Sequence, residues 1–194
     1  MKSAILVAIL IVGICSLANA SPMMTIAVKA GGAGTCTPST GAPGTGVVCP
    51  LGDYGWFSVV VSDPMGNPND IITCRAGGVI GALAFCPGTN PQVAPLGPAL
   101  QVTFVFKNFG GCDKIFFIAQ SSDGTVVGPT APIFVTSFDE NASLVVDGID
   151  LARFAADFGF QGRPCSDFNC DGIVNALDFS ILARHFGHRC LPTQ

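Results

Sequence analysis

Apolar residues follow two different patterns along this chain. Up to about Ser137 they come in short runs separated by turn-forming residues. Thr25–Val28, Trp56–Val61, Val79–Phe85, Leu100–Phe106, Lys114–Ala119 and Ile133–Thr136 each read as a strand. Each is short, rich in β-branched or aromatic side chains, and bounded by turns. Pro64-Met65-Gly66-Asn67-Pro68, Phe109-Gly110-Gly111 and Asp123-Gly124 supply turn signals, and Gly31–Pro50 reads as a loop. Beyond Phe138 the period lengthens. Leu151, Phe154, Ala155 and Phe158 fall at i, i+3, i+4 and i+7, and so do Phe179, Leu182, Ala183 and Phe186. Each set makes one face of a helix. Gly159 and Gly187 then stand where helix C-caps belong.

The change of period places a domain boundary at Ser137–Asp139. Six or seven strands in about 110 residues suit a mainly β, antiparallel sandwich of immunoglobulin-like type over residues 21–137. The stretch from Val59 to Pro68 resembles a strand and turn of bacterial immunoglobulin-like repeats. Residues 138–190 are expected to form a small all-α module.

That module repeats itself internally. Val145-Val146-Asp147-Gly148-Ile149-Asp150-Leu151 aligns with Ile173-Val174-Asn175-Ala176-Leu177-Asp178-Phe179, with Asp150 and Asp178 28 positions apart. The second copy opens with a loop suited to calcium. Asp167, Asn169 and Asp171 stand at positions 1, 3 and 5, Gly172 at 6, Ile173 at 7, Asn175 at 9 and Asp178 at 12. Calcium takes 6–8 oxygens, and a loop of this type supplies them from alternate side chains and the carbonyl at position 7. Asp178 would close the shell while its charge favours the N-terminus of the following helix. In the first copy Asp139, Asn141, Ser143, Val145, Asp147 and Asp150 take the same places. Ser143 replaces a carboxylate there, and Leu144 replaces the glycine at a position that often needs a left-handed backbone. Weaker calcium binding is expected in this first loop.

Two short Asp/Asn loops, each followed by a helix and ending in aspartate, resemble a dockerin. The resemblance covers about Asp139–His188. It implies calcium-dependent folding and a protein partner of cohesin type. It also puts Gly148, Ile149, Ala176 and Leu177 where dockerins carry partner-recognition residues. This chain has a small and an aliphatic residue at each of those places, where well-known dockerins often have a Ser-Thr-like pair.

Other features narrow the setting. Met1-Lys2-Ser3, an apolar run from Ala4 to Cys15 and Ala18-Asn19-Ala20 read as a secretory signal peptide cut after Ala20. The run is shorter than the about 20 residues a membrane span needs. Eight of the nine cysteines remain after the cut: Cys36, Cys49, Cys74, Cys86, Cys112, Cys165, Cys170 and Cys190. An even number in an exported chain predicts disulfides. Closure of the Gly31–Pro50 loop by Cys36–Cys49 and of the second repeat by Cys190 with Cys165 or Cys170 are the local options; the remainder suggests either a bond between domains or one free thiol in each. No Cys-x-x-Cys pair occurs, which argues against zinc. Only 11% of residues are charged and the net charge is −4, which excludes a basic face for nucleic acid.

No catalytic constellation emerges. His185 and His188, the only histidines, are expected to face solvent or the helix C-terminus, with no third ligand at zincin spacing. The aspartates of the β region are scattered through turns. Tyr54 and Trp56 could form a sugar-stacking platform but more often such residues anchor a core. Three functions are therefore carried forward: a secreted, non-enzymatic calcium-binding docking protein; a calcium-stabilised structural or adhesive surface protein with the tail packed on its own β domain; and an accessory protein binding or helping to degrade polysaccharide.

Overall fold

The computed structural model describes residues 23–32, 35–36, 45–49 and 51–191. The expected leader lies outside the described residues, as does most of the middle of Gly31–Pro50. In chain order the strands are β1 (Thr25–Gly32), β2 (Thr35–Cys36), β3 (Thr45–Val48), β4 (Gly55–Ser62), β5 (Ile71–Gly78), β6 (Leu83–Phe85), β7 (Gln92–Pro95), β8 (Gln101–Phe106), β9 (Phe109–Gly111), β10 (Asp113–Ser121), β11 (Val126–Val127) and β12 (Ile133–Ser137). Two helices follow, α1 (Gly148–Asp157) and α2 (Ala176–His185).

Alternation makes the strands. In β4, Phe57, Val59 and Val61 are buried while the residues between them are half-covered. That period of two turns one row of side chains inward. β4 is the centre of a three-stranded antiparallel sheet in the order β1-β4-β8. A larger sheet runs β2-β3-β12-β10-β5-β7, with β11 added on β10, and β6 pairs with β9 by itself. Phe57 and Phe106 of the small sheet meet Phe117 of the large one, at ring separations of 5.9 and 5.2 Å. One apolar core thus joins the inner faces of both sheets.

Several elements differ from the sequence expectation. Val79 and Ile80 are exposed, and only Leu83–Phe85 of the expected Val79–Phe85 strand is formed. The neighbouring β5 buries Ile72, Cys74 and Ala76 instead. Its Arg75 and two terminal glycines obscure the alternation in the sequence. Gly31–Pro50 is not one loop, since β2 and β3 lie within it. Phe109-Gly110-Gly111 is a strand rather than a turn. Its glycines are needed because a Cβ at Gly110 would fall on the Asp139 carboxylate.

The only parallel pairing among the described strands is β3 with β12, which aligns Val47 with Thr136 and Val48 with Ser137. Both strands therefore run off the same end of the sheet. There the chain enters the tail at Phe138. A second core forms at that end from Val47, Cys49 and Phe138 of the β region with Val146, Phe154, Phe168, Val174 and Leu182 of the tail. Phe168 packs 4.9 Å from Phe138 and 6.1 Å from Phe154. The two helices do not make a self-contained all-α unit, because strand residues fill the space beneath them. Only Phe154 and Leu182 of the two expected apolar stripes are fully buried; Phe158, Phe179 and Phe186 remain about half exposed.

Two disulfides fasten the tail to the strands. Cys86 joins Cys190 across 104 residues, and Cys112 joins Cys165 across 53. Cys170 is disulfide-bonded as well. The local clasp from Cys190 to Cys165 or Cys170 is therefore not formed. Cys49 and Cys74 are buried free thiols, so the Cys36–Cys49 closure is not formed either. The reason is placement: Cys74 points from β5 into the apolar core, and Cys49 faces the tail. Such disulfides indicate an oxidising environment. No helix among the described residues is long and apolar enough to cross a membrane.

Candidate functional site

The two loop–helix repeats share one local construction. Asp147 caps α1 by accepting from the Ile149 amide, and Asn175 caps α2 by accepting from the Leu177 amide. Asp150 and Asp178 reach back to the cap residue's own N–H, at 2.8 and 2.9 Å, completing a capping box in each copy. Leu144 and Gly172, at equivalent positions, both have left-handed backbones, with φ of +68° and +91°. The repeats are also exchanged across one another. The Val146 amide donates to the His188 carbonyl and the Gly187 amide to Val146, while the Val174 amide donates to Phe160 and the Gly159 amide to Val174.

In the second loop, carboxylate oxygens of Asp167, Asp171 and Asp178 lie within 4.8 Å of one another. Among the described residues no salt bridge reaches any of the three. Asp167 accepts from the Asp171 and Gly172 amides, which winds the loop around it. Asp178, fully buried, accepts from the Phe168 and Asn169 amides at 2.8 and 3.0 Å. The side-chain amides of Asn169 and Asn175 both donate to Asp171 Oδ2, and Asn175 also donates to the Ile173 carbonyl. Burial pushes the Asp167 carboxyl up, against the Gly172 amide that pulls it down. Backbone donation from Ile173 holds the exposed Asp171 below the usual carboxylate range. Of the six expected ligand residues, the structure brings together the carboxylates of Asp167, Asp171 and Asp178; Asn169 and Asn175 turn side-chain N–H groups toward Asp171, and the Asn175 oxygen caps α2. Carboxylates, side-chain amides and a carbonyl suit a hard divalent ion such as calcium. Cys170, inside this loop, is disulfide-bonded and contributes no thiolate.

The first loop brings together the same positions with a different result. Asp139 is fully buried, and its carboxylate accepts from the Ser143 and Leu144 amides at 2.9 and 2.7 Å and from the Ser143 hydroxyl. Ser143 Oγ also lies 3.1 Å from the Val145 carbonyl. Asp150 accepts from Asn141 and Asp147 amides. The Asp139 carbonyl accepts from Gly111 of β9 at 2.6 Å. Protein donors, not converging carboxylates, fill this loop. Behind it, burial pushes the Glu140 carboxyl up to about 8, and the Ser166 hydroxyl bridges it to Asp157.

Ile149 and Leu177, the expected partner-recognition positions beside Gly148 and Ala176, are 57% and 60% exposed at the start of each helix. Tyr54 and Trp56 do not form a platform. Tyr54 packs edge-on against Phe138 and His185, at 4.9 and 5.0 Å, and a Cβ at Gly31 would strike the Trp56 ring that covers it. His185, expected to face solvent, is buried and stacks on Phe138 at 4.2 Å. With His188, Cys49 and Asp53 it forms a second cluster that no spacing in the sequence announced.

No family model, curated protein or solved structure matches the chain. The dockerin resemblance is corrected on that ground and on the fold. The described residues are mainly β with two ten-residue helices, and the tail shares its core with strands.

Proposed function

We propose that this chain is an exported, non-enzymatic structural protein, stabilised by calcium bound in its second loop and with its tail packed on its own β region. The observation that carries this is the convergence of Asp167, Asp171 and Asp178, none of which takes part in a salt bridge among the described residues. Three carboxylates so placed repel one another, and a divalent ion relieves that repulsion; its binding energy then becomes folding energy for the tail. Asp167, Asn169, Asp171, Asn175, Asp178 and the Ile173 carbonyl would hold the ion. The tail's shared core and two disulfides support a stiffening role, because ordering the loop orders the end of the β region too. The two-sheet core supports the finer description of the β region as an immunoglobulin-like sandwich. Titration calorimetry of the full chain tests the proposal: one equivalent of Ca²⁺ is expected, and none for Asp167→Ala. No heat at millimolar Ca²⁺ would sink it.

One observation favours a second role, binding a protein partner. Leu151, Phe179, Leu182, Ala183 and Phe186 line an open apolar groove of about 300 Å³ between the helices. Phe158 and Phe160 are also exposed nearby. Exposed aromatic groups in such number mark interaction surfaces more often than chance. Sedimentation and binding assays against co-secreted surface proteins, with Phe179→Ser as control, test this; an unchanged profile for the variant argues against it.

A further inference from the structure

A second cluster of metal-ligating side chains stands where the tail meets the sheet. Cys49 follows the last residue of β3, and a turn closed by the Gly52 amide on the Cys49 carbonyl brings Asp53 back beside it. The last turn of α2 supplies His185, and the turn after it supplies His188, held by its amide on the His185 carbonyl. Cys49 Sγ lies 3.5 Å from His188 Nδ1, and the two Nδ1 atoms are 3.2 Å apart. Asp53 oxygens lie 3.2 Å from His188 Nδ1 and 3.7 Å from His185 Nδ1. One ligand atom from each of the four residues falls within 4.8 Å of all the others.

The nitrogen–nitrogen and nitrogen–sulfur separations match those of a coordination shell. Around tetrahedral zinc, with bonds of about 2.0–2.1 Å to nitrogen and about 2.3 Å to sulfur, two nitrogens sit about 3.3 Å apart and nitrogen and sulfur about 3.6 Å apart. The observed edges are close to both. The His185 ring is held in place by the Phe138 ring beneath it, at an interplanar angle of 12°, and by the edge of Tyr54. Cys49 is fully buried, whereas the Asp53 side chain is 37% exposed, so an ion can enter from the Asp53 side. Cys74 is the internal contrast: it is equally buried and free, but its surroundings are the apolar core and offer no second ligand.

We propose that Cys49, Asp53, His185 and His188 bind one zinc-class transition-metal ion, pinning the end of α2 to the end of β3. A thiolate and two imidazoles select such an ion over calcium, which prefers an all-oxygen shell. Binding forms the metal–sulfur bond as the Cys49 thiol gives its proton to solvent. The site is independent of the calcium loop and stands if that loop proves empty.

Cobalt is the probe. The purified full chain, kept in excess Ca²⁺, is titrated with Co²⁺ and followed by absorption. One equivalent is expected to give the visible bands of tetrahedral Co²⁺ and a thiolate-to-cobalt charge-transfer band, both bleached by Zn²⁺. Cys49→Ser should lose the charge-transfer band, and Cys74→Ser should keep it. His188→Ala, on a half-exposed turn, should weaken cobalt binding by about tenfold or more, which serves if Cys49→Ser does not fold. A folded wild-type chain that shows no tetrahedral spectrum, or a charge-transfer band that survives in Cys49→Ser, overturns the proposal.

Discussion

The two repeats of the tail have the same backbone and opposite chemistry. Both wind around an aspartate that accepts two loop amides, both turn through a left-handed residue, and both end in a capping box. The difference lies at the fifth and ninth positions. Ser143 brings a hydroxyl hydrogen that settles on protein oxygens and the first loop keeps its third carboxylate at Asp147, which caps α1, while Asp171 sets its carboxylate beside those of Asp167 and Asp178. Burial follows the same division. Asp139 is sealed against β9, whereas the second loop lies largely open to solvent, with Asp171 exposed. One scaffold thus serves as an internal clasp in one copy and as a candidate ion site in the other. A loop can keep its shape after losing a ligand if protein donors replace the ion.

That contrast can be broken experimentally. The largest effect is expected for Asp139→Ala, which leaves the Ser143 and Leu144 amides without their acceptor beside a packed strand. A loss of about 3 kcal/mol is expected, since two part-buried amides and the Ser143 hydroxyl lose their acceptor and each such bond contributes about 1 kcal/mol. Urea unfolding should give the same loss in Ca²⁺ and in EDTA; a calcium-dependent loss would mean that the first loop also holds an ion. Next comes calcium removal. With Ca²⁺ at a hundred times its dissociation constant, the ion adds about 2.7 kcal/mol. EDTA should therefore lower the melting temperature of the wild type and leave Asp171→Ala unchanged. Gly172→Ala places a Cβ at φ +91° and should cost about 1 kcal/mol. An unaffected midpoint would show that the second loop does not hold this backbone. The smallest change in stability is expected for Ser143→Asp with Leu144→Gly, which gives the first loop the carboxylate and the glycine that the second has at positions five and six. Calorimetry should then count two calcium equivalents instead of one, and a count that stays at one would show that burial, not position five, keeps the first loop closed to the ion.

Cysteine and histidine were the least legible residues. Absence of a Cys-x-x-Cys pair argues against zinc only when ligands are neighbours in sequence. Cys49 and His188 are 139 positions apart and meet because β3 and β12 run parallel off one sheet end. The disulfide partners are likewise 104 and 53 positions apart. The dockerin resemblance was misleading in a related way: loop positions describe a local turn, not what packs beneath it, and here that is Val47, Cys49 and Phe138.

What the amino-acid order determined alone was everything governed by a few adjacent residues. The 28-residue repeat, the terminating glycines and the alternating strands of Trp56–Val61 and Lys114–Ala119 were all readable, because side-chain periods and backbone preferences within one turn or strand set them. Only the tertiary structure decided which cysteines pair, which repeat is sealed, and that two histidines turn inward to a thiol and a carboxylate. Those outcomes depend on how distant strands are ordered in a sheet, and burial of apolar area, which drives that ordering, is non-directional and leaves no fixed spacing in the sequence.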